Sequence, residues 1–498
     1  MSFFHHFAAI MKKLLSVLLI GACIHASAQN KTAEKYAATI TPAALKEKLS
    51  VIASADMQGR ETATEGQRKA AAYIEDYFKK LKLQPGDSGK YQMAFQVYQD
   101  SVTSAAFTVA DKNFAFAEDF SIAGTGIPNG NFTISTVVFA GKGIKDSTHN
   151  DYDSLDAKQQ WLMITASPDE ERSLRSLFRK VANATQTGAA GILIVSDNFP
   201  KSQSVYKGRM YMKQAEVKTP VFFVSKNLAA ALLNTAVGEN TEHKSYATNA
   251  QLAISKITNN LQSTNVVGVL PGTDKKGEYV FITGHYDHLG KQDSVIYYGA
   301  DDDGSGTTSV LQIAEAFAKA RDKGNKPRRT MVFMTVSGEE KGLWGSEYYS
   351  NHPLFNLDST TVDLNIDMVG RIDPERTYGD STNYVYTIGE DKLSSDLMPI
   401  SDSINNTYAH LELDRKYNDP KDPNRFYYRS DHYNFASKGV PIIFYFNGTH
   451  ADYHRPTDTV DKINFELMSK RVQLVFYTAW EMANREAMLK RDIPLNQK

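Results

Sequence analysis

Apolar positions from residue 265 onward alternate between two periods. Short runs of strand length occur at 279–283, 330–336, 362–367, Tyr384–Ile388 and 440–446. Between and after them, stretches at 305–320, 342–350 and 465–488 place apolar residues at helical spacing, as with Val310, Leu311, Ile313, Ala314 and Phe317. Alternation of this kind predicts an α/β fold, a mostly parallel mixed sheet with helices on both faces. In such sheets functional groups gather at the carboxyl ends of the strands.

The pattern differs upstream. Ala44, Leu45, Leu49 and Ile52, then Ala71, Ile74, Phe78 and Leu81, predict two helices within 41–83, with the polar stretch 56–67 as the turn between them. Residues 105–255 hold short strand-like runs at 107–109, 134–139, 161–164, 191–195 and 220–224. One helix is expected near 173–187, ending at Gly188. This region reads as a compact strand-rich insert. It carries His149 and His243 but no spaced set of ligands, so no chemistry is expected from it. The expected division is a leader at 1–28, a first part of the main domain at 29–104, the insert at 105–255, and the rest of the main domain at 256–498.

Composition changes this picture little. The 498 residues are 42% hydrophobic and 11% aromatic, ordinary for globular domains. The 56 basic and 57 acidic side chains nearly cancel, so neither nucleic acid nor an anionic membrane surface is an expected partner. The segment starting at Met11 has the parts of an export signal: Lys12 and Lys13, an apolar run from Leu14 to Ile24, and Ala26-Ser27-Ala28 as a cleavage site. A periplasmic or secreted location is therefore expected. Ile20-Gly21-Ala22-Cys23 offers lipoprotein anchoring as the alternative. Cys23 is the only cysteine, so any metal must be held by nitrogen and oxygen donors.

Such donors occur in order along the second half: His285 with Asp287, Asp302, the pair Glu339–Glu340, Asp367, and His454. Nearly all follow a predicted strand, and Asp302 lies in a Gly-rich turn before a helix. Imidazole and carboxylate together suit zinc. Two ions commonly share a carboxylate, and Gly304 and Gly306 allow a bridging aspartate its tight turn. Asp287 is placed to orient the His285 imidazole. Of two adjacent glutamates, one can ligate while the other serves as general base. His288 is expected to point away or make a hydrogen bond. His432 is expected to shape a pocket wall, and the loop 417–428 to rim the substrate pocket. Asp301 and Asp303 read as turn residues.

GHYDHLG, GADDDGSG, SGEEKGLWGS, NIDMVGR and DYHRPTDT resemble the motifs of the M28 family of co-catalytic zinc aminopeptidases. ADMQGRETATEGQRKAAAYI is similar to the opening of their peptidase domain. YDSLDAKQQWLMI and KVANATQTGAAGILIVSD resemble a protease-associated (PA) domain. The resemblance implies two zinc ions, one on His285 and Asp367, the other on Glu340 and His454. Asp302 would bridge them and be joined to Asp303 by a cis bond. It implies Glu339 as general base and Tyr453 as support for the oxyanion. The expected function is removal of N-terminal residues from peptide substrates. A carboxypeptidase or dipeptidase of the same family, or a glutaminyl cyclase-like enzyme, is the alternative. Oligomeric state is left open.

Overall fold

The computed structural model describes residues 31–495 apart from 125 and 215. The expected leader, its cleavage site and Cys23 lie outside them. The chain divides into two units, one built from the residues up to Phe95 together with those from Gln262 on, the other from Gln96–Leu261.

The first unit is formed by α1 (Pro42–Ile52), α2 (Glu65–Lys80), the end of β1 (Ser245–Leu270), β2 (Lys275–His285), α3 (Gly306–Asp322), β3 (Arg329–Val336), α4 (Trp344–Asn351), β4 (Thr360–Ile366), β5 (Tyr384–Ile388), α5 (Leu397–Ile404), β6 (Glu412–Asp414), α6 (His432–Ala436), β7 (Ile442–Phe446) and α7 (Phe465–Asn484). The strand order is β6-β5-β7-β4-β2-β3-β1. The four central strands run parallel: β7 with β4, β4 with β2, β2 with β3. β1 and β5 join them antiparallel. The sheet is thus mixed but mostly parallel.

The central strands are buried along most of their length because both faces are covered. In β2, Val280 and Ile282 pack with α3 and α7, whereas Phe281 faces the opposite side. There its ring lies 5.3 Å from Phe435 of α6 and 5.7 Å from Tyr349 of α4. β3 repeats the pattern, Met331 and Phe333 on one side and Val332, Met334 and Val336 on the other. Alternation of this kind fixes register, since a slip of one residue would exchange the faces. α7 begins at an Asn464 cap, whose side chain accepts from Leu467 N at 3.1 Å, and sets Met468, Val472, Val475, Ala479 and Met482 into the core. It ends at Asn484, short of the expected 488, where Arg485 turns extended.

The polar stretch 56–67 is a 3-10 turn, Ala55–Arg60, followed by the start of α2 at Glu65. Arg60 has a left-handed φ of 53°. That conformation costs a side-chain-bearing residue energy, and its own hydrogen bonds, described below, offset the cost.

The second unit has its own parallel sheet: Gly130–Phe139, Trp161–Thr165, Gly191–Ser196 and Val221–Ser225, with Phe120–Ile122 and the first part of β1 antiparallel at the edges. Its helices are Pro168–Arg172, Leu174–Thr185 and Lys226–Leu233. It spans Gln96–Leu261, against 105–255 in the sequence reading. The difference arises because Gln92–Val109 and β1 are long strands that run across both boundaries. β1 shows little apolar texture because much of its length is polar and half-exposed. No helix among the described residues is long and apolar enough to cross a membrane.

Candidate metal centre

Parallel order brings the carboxyl ends of β2, β3, β4 and β7 to one edge, and each delivers a donor there. His285 is the last residue of β2. Glu339 and Glu340 follow β3, Asp367 follows β4, and Tyr453 and His454 follow β7. Asp302 comes from a kinked turn, Ala300–Ser305, leading into α3. The bond between Asp302 and Asp303 is cis.

Asp302 stands between two imidazoles. Its Oδ1 lies 3.3 Å from His285 Nε2 and its Oδ2 lies 3.0 Å from His454 Nε2. On the His285 side, Asp367 Oδ1 is at 3.7 Å and Glu339 Oε2 at 3.8 Å from the same Nε2. On the His454 side, Glu340 Oε2 is at 3.1 Å. Donor atoms bound to zinc at about 2.0–2.2 Å in tetrahedral arrangement lie roughly 3.3–3.6 Å apart, and these separations match that scale. Buried polar atoms normally find hydrogen-bond partners. Here His285 Nε2, Asp302 Oδ2 and Glu340 Oε1 have none among the described residues. A set of unpartnered nitrogen and oxygen donors turned toward one another fits a divalent cation with borderline character.

The donors also shift one another's protonation. Burial alone would hold the His285 imidazole neutral, but Glu339 and Asp367 outweigh it and push its pKa well above the ordinary value. Burial works against charging His454 too, yet Asp302 and Glu340 raise it to about 10. Glu340 falls to about 2 despite burial, drawn down by His288 and His454. Glu339 is different: burial, with Glu340 and Asp367 adding repulsion, raises its carboxyl well above the usual range.

Asp287 serves the site otherwise than expected. His285 Nδ1 meets the backbone carbonyl of Asp287 at 3.1 Å, while the carboxylate lies at 3.7 Å. That carboxylate instead accepts from Thr62 Oγ1 at 2.7 Å and from the backbone N–H of Glu339 at 3.2 Å. It therefore positions the Glu339 backbone as well as the His285 loop.

Of the two expectations for His288, pointing away or making a hydrogen bond, the structure excludes the first. Its ring is fully buried at the centre, with Nδ1 2.7 Å from Glu340 Oε1 and 3.8 Å from Asp302 Oδ2. The Gly299 backbone packs closely against the ring. A Cβ on Gly299 would sit 2.5 Å from it. His432 is buried, stacks on Phe444 at 4.6 Å, and contacts Tyr427 O at 2.8 Å.

Several residues that hold the centre gave little sequence signal. Asp303 is more than a turn residue: it accepts from the backbone N–H of His285 at 3.1 Å, Gly306 at 2.8 Å and Met368 at 3.0 Å. It thereby ties three donor-bearing segments together. Gly306 must be glycine, because a Cβ there would lie 2.1 Å from Ile366 O and 2.2 Å from Asp303 Oδ2. Asp458 accepts from the backbone N–H of Asp301 and Asp302 at 3.0 and 3.1 Å. Arg60, fully buried, donates to the carbonyls of Tyr286, Ile52, Tyr298 and Gly299 at 2.7–2.9 Å.

A small recess adjoins the donors. Met368, Phe426, Phe444 and Phe446 form its apolar wall, and Thr449, Arg429 and Tyr453 its polar rim. The Tyr453 ring stacks on His454 at 3.9 Å, and its hydroxyl lies 3.3 Å from Arg429 Nη2. Of the loop 417–428, Phe426 reaches this recess.

Residues 265–479 match Peptidase family M28. Among curated proteins, a probable zinc metalloprotease of Pyrenophora teres f. teres is 26% identical over 275 residues, 48% of this chain and 55% of that protein. Aminopeptidase YwaD of Bacillus subtilis is 24% identical over 326 residues, 62% of this chain and 60% of that one. The chain spans roughly half to three-fifths of the length of these relatives. Among solved structures, an aminopeptidase from Aneurinibacillus sp. strain AM-1 superposes with a TM-score of 0.55 at 20% identity, covering 93% of this chain and all of that one. That likeness establishes the α/β fold. Sequence match and converging donors fall on the same stretch of chain, residues 265–479, which is similar to Peptidase family M28.

Proposed function

We propose that this protein is a zinc-dependent exopeptidase that releases N-terminal residues from peptides, with two zinc ions at the centre described above. One observation carries the reading: Asp302 presents one carboxylate oxygen to each of two imidazoles, His285 and His454. The B. subtilis relative is an aminopeptidase and the fungal relatives are zinc metalloproteases by name. His285 and Asp367 would hold one ion, Glu340 and His454 the other, with Asp302 shared. Bound zinc would supply a Lewis acid that polarises the scissile carbonyl and lets water ionise near neutral pH.

The chain's own groups supply the rest. Glu339, half-buried with its carboxylate 3.8 Å from His285 Nε2, is the base that takes a proton from the attacking water and returns it to the departing amine. Its backbone is fixed by Asp287, which sets where the carboxylate stands. The Tyr453 hydroxyl, on the rim of the recess, donates to the oxygen that gains charge as the carbonyl turns tetrahedral. The apolar wall of Met368, Phe426, Phe444 and Phe446 suits an apolar first side chain, and the acidic surroundings suit a free amine. The Gln96–Leu261 unit carries the stretches that resemble a PA module, and we propose it as one.

One observation favours a dipeptidase as the second reading. Arg429 lines the recess and contacts Tyr453 and the Phe426 ring, with no ion pair to a carboxylate of the chain among the described residues. A substrate carboxylate would complement it. Zinc content measured together with hydrolysis of leucyl anilide, its N-acetyl form and leucyl dipeptides tests both readings. The aminopeptidase reading expects the free-amine anilide to be cleaved and the acetylated one to be spared. Preferential cleavage of the acetylated substrate would overturn it.

A further inference from the structure

One imidazole at the centre has no part in the reaction described above. His288 is fully buried, with its backbone N–H bound to Arg60 O at 3.2 Å. Its Nδ1 stands 2.7 Å from Glu340 Oε1, yet neither atom has an aligned hydrogen-bond partner among the described residues. At that distance a ring N–H aimed at the oxygen would count as a bond. Asp302 Oδ2, 3.8 Å from the same Nδ1, also lacks an aligned hydrogen-bond partner among the described residues. His288, Asp302 and Glu340 each offer an atom within a span of 4.8 Å. The His288 and His454 rings meet edge to face at 5.9 Å, so two imidazoles border the Glu340 side and one, His285, the other.

We propose that His288 is a ligand of the second zinc through Nδ1, together with Asp302, Glu340 and His454. The inference rests on the two-zinc reading above and adds an asymmetry to it. One ion has a single imidazole, the other has two. Nitrogen donors favour zinc over harder divalent ions, so the His288–His454 site fills first and holds its ion more tightly.

Two measurements with zinc alone test this. In the zinc-loaded full chain, a crystal structure should place His288 Nδ1 about 2.0–2.1 Å from the second ion. A separation beyond about 3 Å with both ions bound would overturn the proposal and leave the two-zinc reading intact. Stepwise titration against a competing chelator gives the second readout. His288→Ala should weaken the tighter step about 100-fold, at the upper end of what outer contacts alone contribute, and leave the weaker step within about twofold. His288→Asp, which keeps a donor, should recover part of the loss. Equal affinities in wild type and His288→Ala would refute the proposal. Should His288→Ala fail to fold, the crystallographic distance decides. A wild-type chain that binds no zinc would reject this inference and the proposed function together.

Discussion

Arg60→Met probes how the ligand loops are held. The guanidinium is fully buried and reaches four carbonyls, Tyr286 O at 2.7 Å, Ile52 O and Tyr298 O at 2.8 Å, and Gly299 O at 2.9 Å. Tyr286 lies between His285 and Asp287, and Gly299 opens the turn that carries Asp302, so one side chain spans two ligand segments. Burial lowers its pKa to about 10, offset in part by Asp287, Asp303, Asp302 and Asp458, so it stays charged at neutral pH. Methionine fills similar space and donates nothing. Gly299 O retains Gly304 N at 3.1 Å, which leaves three carbonyls without a donor. Each buried polar group left unpaired costs about 1–3 kcal/mol. The three sum to roughly 3–9 kcal/mol, and access of water and the apolar contacts of methionine bring the expected loss near 4 kcal/mol. The assay is urea unfolding in a chelator, with Arg68→Met as the comparison, since Arg68 is 61% exposed and pairs with Glu65 only at 3.8 Å. Arg68→Met should change stability by less than about 0.5 kcal/mol. Zinc affinity should fall in Arg60→Met alone. A loss below about 1 kcal/mol for Arg60→Met would refute the reasoning, since it would mean those carbonyls need no donor.

Other outcomes follow from the same geometry. Glu339→Gln should lower kcat about 10²–10⁴-fold with zinc content unchanged; turnover within threefold of wild type, measured at saturating substrate, would reject the base assignment. Asp363 on β4 has its carboxyl pushed up to about 8 by burial, so the folded chain keeps a proton that the unfolded chain releases near pH 4. Its contribution is full below that lower value and is lost as pH climbs toward 8. The stability of Asp363→Asn should therefore gain on wild type by up to about 1.4 kcal/mol per pH unit between pH 5 and 8; parallel urea-stability profiles would contradict this. Removing zinc with a chelator should lower the melting temperature, because free ligand at 1,000 times Kd adds about 4 kcal/mol of stability; an unchanged melt would show that the ions do not bind the folded state preferentially.

Much of the centre was legible in the sequence because strand and ligand are adjacent. A run of apolar residues ending at His285, Val336 or Ile366 signals a covered strand, and parallel order makes their next residues neighbours. The groups that brace the ligands left no such mark. Asp303 and Asp458 act by accepting backbone N–H groups, Asp303 across 65 residues and Asp458 across 156, and a backbone donor has no residue identity to read. Arg60 reaches carbonyls 226 and 239 residues away. His288 looked idle because HxD spacing singles out His285, and only the turn at Gly299 shows that both rings face inward. β1 was missed over much of its length because its polar residues alternate with half-buried ones, a texture shared with loops.

Anomalous diffraction at the zinc edge from crystals of the zinc-loaded chain tests the central claim most directly. The account requires two peaks about 3.5–4 Å apart, one against His285 and Asp367, the other against Glu340 and His454, with Asp302 touching both. A single peak, or peaks remote from Asp302, would contradict it.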